Sequence, residues 1–152
     1  MKPNDIIEAD FLRTQAVEYI KRFIGRPYSW GGDDPMSGFD CSGLIHEVLQ
    51  SVGYEAHGFD CNAHNLYLKL KVTHRTIEKP RFGALVFWFK NGEAKHVAML
   101  INEFQICEAG GGGSETKTEE DAKKHNAYIR VRSLDYRGEN YKIIDPFEGW
   151  EE

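Results

Sequence analysis

The sequence predicts an α+β fold in which N-terminal helices pack on a C-terminal antiparallel sheet. Two observations carry that expectation. Apolar residues in the first half recur at helical spacing, whereas those in the second half form short runs rich in aromatic and β-branched residues. Helices first and strands after is the order of an α+β domain, and 152 residues suit one domain with a single core.

The first helix is expected over residues 10–24, where Leu12, Ala16, Ile20, Phe23 and Ile24 share a face and Gly25 and Pro27 end it. A turn-rich stretch, "GRPYSWGGDDPMSG", follows. Leu44, Ile45, Val48, Leu49 and Val52 then mark a second helix stopped by Gly53, and a shorter one is expected over residues 62–70. "GALVFWF", "HVAMLI" and "FQICEA" read as strands separated by "KNGEAK" and "NE". Thr118 suits the cap of a short helix with acids in its first turn and Lys123 and Lys124 near its end. "AYIRVR" alternates and reads as the last strand, and "DPFEGWEE" as a surface tail.

The totals exclude several function classes. Hydrophobic residues make up 41%, charged residues 28% and the formal net charge is -5, with no extended basic run to bind nucleic acid. The longest apolar run, "ALVFWF", is too short to span a bilayer, so no membrane partner is expected. Three cysteines are an odd number, unlike a disulfide framework, and fit a reducing compartment. "MKPNDIIEADF" lacks the apolar core of a signal peptide, so synthesis in the cytosol is expected.

The tetrapeptide GFDC occurs twice, ending at Cys41 and at Cys61. A catalytic thiol must be partly ionised, and a helix N-terminus favours the thiolate. Cys41 opens the stronger helix, and Gly43 beside it leaves room for close approach of another backbone or a substrate. Cys61 opens a weaker helix and fits a packing role, and Cys107 lies mid-strand as a core or edge residue. Cys41 is the candidate nucleophile.

The residues around Cys41 resemble a known family. "PYSWGG" and "FDCSGL", followed by "RFGALVFW", "HVAMLI" and "ICEA", are similar to the signature of NlpC-type cell-wall cysteine peptidases, which are papain-like. The resemblance covers about residues 27–109 and a helix before them, and implies one such domain over residues 1–152 without a separate wall-binding domain. It implies Cys41 as nucleophile, His96 as general base and Glu108 as the group that orients the imidazole. A carboxylate is a departure at that third position, more often His, Asn or Gln, yet it would accept the second ring N–H and stabilise an imidazolium. Tyr28, Asp40 and Ser42 match family positions near the nucleophile or substrate. Asp40 would serve equally as an N-cap and Tyr28 as a packing residue.

Five other histidines compete with His96. His46 lies five residues after Cys41, about 500° along a helix and so about 140° away from it, and cannot serve that thiol. His57, His64, His74 and His125 fall in loops or short helices. Glu108 follows His96 by twelve residues, and strand geometry makes a demand of that spacing. A two-residue turn at Asn102-Glu103 would pair Ile101 with Phe104 and turn Glu108 away, whereas a three-residue loop pairs Ile101 with Gln105 and brings Glu108 to the face of His96.

Other readings compete. Cys41, His46, Cys61 and His64 offer four zinc ligands, but the 140° offset argues against a common ion, and no metal or cofactor is expected. The resemblance implies hydrolysis of an amide in peptidoglycan stem peptides, such as the bond from D-γ-glutamate to a diamino acid, with sugar–peptide amidase or cross-bridge cleavage as alternatives. A non-catalytic module of a phage or secretion particle is the alternative of another class. Because no export signal is visible, delivery to the wall by a phage tail, by lysis or by a secretion machine is expected. The glycines of residues 110–114 follow Glu108 and would either rim the cleft or form a plain linker.

Overall fold

The computed structural model describes residues 3–29, 32–34, 38–112 and 115–148. Helix α1 runs over Pro3–Lys21, starting a full turn and more before the expected residue 10; proline is well tolerated in a first helical turn, where its missing N–H has no partner to lose. Ala9, Leu12, Ala16, Val17 and Ile20 form its buried stripe. The helix ends before Phe23 and Ile24, which lie in the turn closed by Gly25 at φ 93°, so Ile24 is exposed rather than on the buried face.

The stretch expected as turns also contains a two-stranded ribbon, β1 (Asp33–Asp34) and β2 (Gly38–Phe39). Trp30 of the quoted motif lies outside the described residues. Helix α2 covers Cys41–Ser51, capped by Asp40, whose Oδ1 accepts the Gly43 N–H at 2.7 Å. Helix α3 (Ala63–Lys71) is capped by Asn62, which accepts from Asn65 N–H at 2.8 Å.

Strands β3 (Thr76–Ile77), β4 (Leu85–Lys90), β5 (Glu93–Leu100) and β6 (Gln105–Gly110) follow. Then come α4 (Glu119–His125), β7 (Tyr128–Ser133), a 3-10 turn (Leu134–Arg137) and β8 (Tyr141–Ile144). Thr118 caps α4 in a reciprocal capping box with Asp121. The antiparallel sheet has the order β3-β8-β4-β5-β6-β7. "AYIRVR" is therefore an edge strand but not the last one: β8 returns to insert between β3 and β4, pairing Ile144 with Leu85. Only four residues long and paired far along the chain, it leaves little local signal.

"KNGEAK" is not a loop throughout. Asn91 and Gly92, at φ 55° and 78°, make a two-residue turn and β5 resumes at Glu93. Pairing then shifts, with Trp88 opposite His96 but Phe89 opposite Ala94, so Lys95 is the extra residue of a bulge just before His96. One face of the sheet packs Leu85, Phe87, Val97, Met99 and Cys107 with the helices. Val86, Trp88, Ala98, Leu100, Ile106 and Ile143 form a second cluster closed by Leu134 of the 3-10 turn.

The closing segment is not a surface tail over residues 145–147; residues 149–152 lie outside the described residues. Asp145 is 1% exposed and Phe147 fully buried. Asp145 accepts from buried Arg13 of α1 at 2.9 Å and from Arg81 at 2.8 Å. No helix among the described residues is long and apolar enough to cross a membrane.

Candidate active site

Two hairpin features position the histidine and the glutamate. The β5–β6 loop holds three residues, Asn102, Glu103 and Phe104: Met99 pairs with Cys107, Leu100 with Ile106, and Ile101 N–H reaches Gln105 O at 3.0 Å. That register sets Ala98 opposite Glu108, and His96 Nε2 lies 2.8 Å from Glu108 Oε1. Asn102 fixes the loop, its Oδ1 accepting from the N–H groups of Phe104 and Gln105, each at 2.8 Å.

Cys41 is the first residue of α2, and its thiol and the His96 ring line one cavity, close enough for Cys41 to act on the protonation of the ring. With Nε2 engaged by Glu108, Nδ1 is the ring nitrogen left to take a proton from the thiol. Burial disfavours the His96 imidazolium, but the hydrogen bonds and charges of Cys41 and Glu108 outweigh it and raise the pKa above the ordinary value. Glu108 is fully buried, which alone would raise its pKa; the bonds from His96 and Arg137 reverse this and pull it down to about 2. The carboxylate is therefore ionised, and Nε2 carries the ring proton that it accepts.

The remaining predicted residues gather at the same place. A cavity of about 430 Å³ is lined by Tyr28, Asp40, Cys41, Ser42, His96 and Gly110, among others, a size suited to a small ligand or peptide segment. Tyr28 is buried; burial first, then the charges of Cys41 and Asp40, push its phenol pKa up, so the hydroxyl stays protonated. Asp40 is the N-cap of α2 and also faces the cavity, and Ser42 Oγ donates to its Oδ1 at 3.4 Å. Gly43 is required by close approach, since a β-carbon there would overlap the Gly32 carbonyl oxygen. Gly110, Gly111 and Gly112 do rim the cavity, and a β-carbon at Gly112 would enter the Tyr28 ring; Gly113 and Ser114 lie outside the described residues.

His46 confirms the angular argument by its choice of partner. It turns from Cys41 to the other GFDC copy: Nδ1 is 2.6 Å from Glu55 Oε1, and Nε2 is 2.8 Å from Cys61 O and 3.6 Å from Cys61 Sγ. Cys61 thus has a Cys–His–Glu array of its own, but it does not line the cavity of Cys41. Burial, then the Glu55 charge, pushes its thiol up to about 11, the opposite of what a nucleophile needs. Cys107 is a core residue, its thiol pushed up to about 12 mainly by burial. The four proposed zinc ligands separate, with His46 beside Cys61 and with Cys41 and His64 lining the cavity. Among the described residues no group of three or more such side chains could hold a metal ion.

Among the cavity residues that the sequence did not assign to this site are His64 and Arg137. His64, whose Nδ1 accepts the Ala94 N–H at 3.1 Å, looked like a helix-edge residue. Arg137 reaches Glu108 from 29 positions away. The one clue to Arg137 was chemical, since a buried carboxylate needs a cation and the sequence does not say which.

Chemically, the thiol can pass its proton to Nδ1 and attack an acyl carbon, while Glu108 holds the ring. The family model "NlpC/P60 family" matches residues 25–133. The chain is 52% identical over 102 residues to murein DD-endopeptidase MepH of Escherichia coli, covering 66% of this chain and 37% of that protein. It is 32% identical over 119 residues to peptidoglycan endopeptidase RipA of Mycolicibacterium smegmatis, covering 68% of this chain and 23% of the relative. The chain thus spans well under half the length of either relative. The crystal structure of the NlpC/p60 domain of peptidoglycan hydrolase SagA superposes with a TM-score of 0.61 at 25% identity, covering 86% of this chain and 97% of that one.

Proposed function

Because this chain belongs to the NlpC/P60 family, we propose that it is a cysteine peptidase that hydrolyses an amide bond in peptidoglycan stem peptides. The observation that carries the reading is Cys41 at a helix N-terminus, lining one cavity with a His96 ring whose Nε2 is held by buried Glu108. The Cys41 thiol gives its proton to His96 Nδ1 and the sulfur bonds to the amide carbonyl carbon. As the first helical residue, Cys41 has a backbone N–H without a partner inside the helix, well placed to donate to the oxyanion. The C–N bond breaks as His96 returns the proton to the leaving amine. Water then attacks the thioester, giving a proton to His96, and the thiol is regenerated with release of the acid.

Tyr28, Asp40 and Ser42 line the cavity where the peptide would lie, Asp40 suiting a cationic amine and Tyr28 a carbonyl. The bond from D-γ-glutamate to a diamino acid is the first choice of substrate. Cross-bridge cleavage is the second reading, favoured by a relative named a murein DD-endopeptidase.

Digestion of purified peptidoglycan fragments by the parent, Cys41→Ala and Cys61→Ala, read by mass spectrometry, tests this directly. The parent and Cys61→Ala should cut and Cys41→Ala should not, with fragment masses naming the bond. A sugar–peptide product would make it an amidase. An inert parent that still binds the fragments would make it a binding module, and a Cys41→Ala that cuts would displace the site.

A further inference from the structure

Glu108 is held by more than the histidine. Its carboxylate is fully buried, yet Arg137 Nε donates to Oε1 at 2.8 Å and Arg137 Nη2 donates to Oε2 at 2.8 Å. Such a planar fork fixes both position and tilt of a carboxylate, which a point charge cannot do. Oε1 is shared, since the oxygen that accepts from His96 Nε2 is the one that accepts from Arg137 Nε. Moving the guanidinium therefore moves the oxygen that aims the imidazole.

The fork is itself fixed. Leu134, at the start of the same 3-10 turn, is buried in the sheet's second cluster, and its N–H donates to Phe104 O at 2.9 Å. Arg132 approaches Glu108 Oε2 at 3.4 Å but without hydrogen-bond geometry, and its guanidinium stacks over the Tyr136 ring at 3.8 Å. It adds charge, not direction. Gly110 passes between the partners, and a β-carbon there would overlap Arg137 Nη2 and press on Glu108 Oε2. The close packing leaves Glu108 one orientation.

We infer that Arg137 is a positioning residue, which acts through Glu108 to hold His96 in line with Cys41. This rests on the peptidase reading for its kinetic consequence but not for its geometry. Two other roles make different demands: substrate binding, since Arg137 also borders the cavity, and stabilisation of the fold alone.

The test compares the parent, Arg137→Ala, Arg137→Lys, Glu108→Gln and the Glu108→Gln/Arg137→Ala double variant. Two readouts are taken, kcat and KM on peptidoglycan fragments, and the iodoacetamide alkylation rate of Cys41 followed by peptide mass spectrometry. Melting curves confirm folding. A misplaced catalytic group costs up to about a hundredfold, so Arg137→Ala should lower kcat by roughly tenfold to a hundredfold with KM within about twofold, and slow alkylation of Cys41. Arg137→Lys should recover only part of the loss, because it restores charge without the fork. In the Glu108→Gln background, removing Arg137 should add little.

A raised KM with kcat intact would assign Arg137 to substrate binding and overturn the inference. Unchanged alkylation and kcat with only a lower melting temperature would do the same, as would additive losses in the double variant. Should Arg137→Ala not fold, Arg137→Lys decides by the same measurements. An inert parent defeats the peptidase reading alone, since alkylation still reports on the coupling between Arg137 and Cys41.

Discussion

At the scale of single residues, Glu108 and His96 depart from their ordinary values in opposite directions, and the signs define a pH window for the stability that they contribute. Glu108 falls from 4.5 to about 2 through His96 and Arg137 despite burial. Its contribution is therefore complete above about 4.5 and is lost as pH falls toward 2. His96 is raised from 6.5, against the effect of burial, by Cys41 and Glu108. Its contribution is complete below 6.5 and is lost as pH rises through the higher folded value. Urea unfolding of the parent should accordingly weaken more steeply between pH 4.5 and 2 than that of Glu108→Gln, which has no carboxyl to protonate. Parallel curves for the two proteins over that interval would show that the carboxylate is not the group titrating.

At the scale of elements, the N-terminal turn of α2 and the segment before it form one unit. Asp40 donates its backbone N–H to Gly32 O at 3.0 Å and caps the helix with its side chain, while Gly43 admits the same Gly32 carbonyl. Gly43→Ala would force the segment away from the helix start, moving a wall of the cavity. Overpacking of this kind costs roughly 1–3 kcal/mol, and turnover should fall together with the melting temperature. A Gly43→Ala protein that melts and turns over like the parent would mean that the Gly32 segment yields freely. The helix and its cap were legible in "FDCSGL" because the capping acid and the apolar repeat are local; the ribbon opposite was not, because two-residue strands leave no periodicity to read.

At the scale of the whole molecule, the chain's two ends are joined by a buried ion pair. Arg13 of α1 and Asp145 after β8 meet with side chains 6% and 0% exposed, and Arg81 shares the same carboxylate oxygen. Breaking a buried pair from one side leaves an uncompensated charge, at a cost of about 3–5 kcal/mol. Asp145→Ala should lose that much in urea unfolding while the turnover of the folded fraction is unchanged. A loss below about 1 kcal/mol would mean that Arg13 escapes to water, where Asp10 already waits at the exposed side.

By itself the sequence determined the class of fold, the presence of the four helices and the caps at Asp40 and Thr118, and its resemblance to the family singled out Cys41, His96 and Glu108 as the set to bring together. The elements follow from local patterns of apolar spacing and capping side chains, whereas a three-residue loop between Ile101 and Gln105 was demanded only with Glu108 taken as the partner of His96. Tertiary structure alone decided the rest. It inserted β8 between β3 and β4, buried Phe147, gave His46 to Cys61, and brought Arg137 onto Glu108. Each of these is a meeting of residues that no local period links. Burial of an ionised group dictates that a partner must exist, but which partner arrives depends on how the whole chain packs.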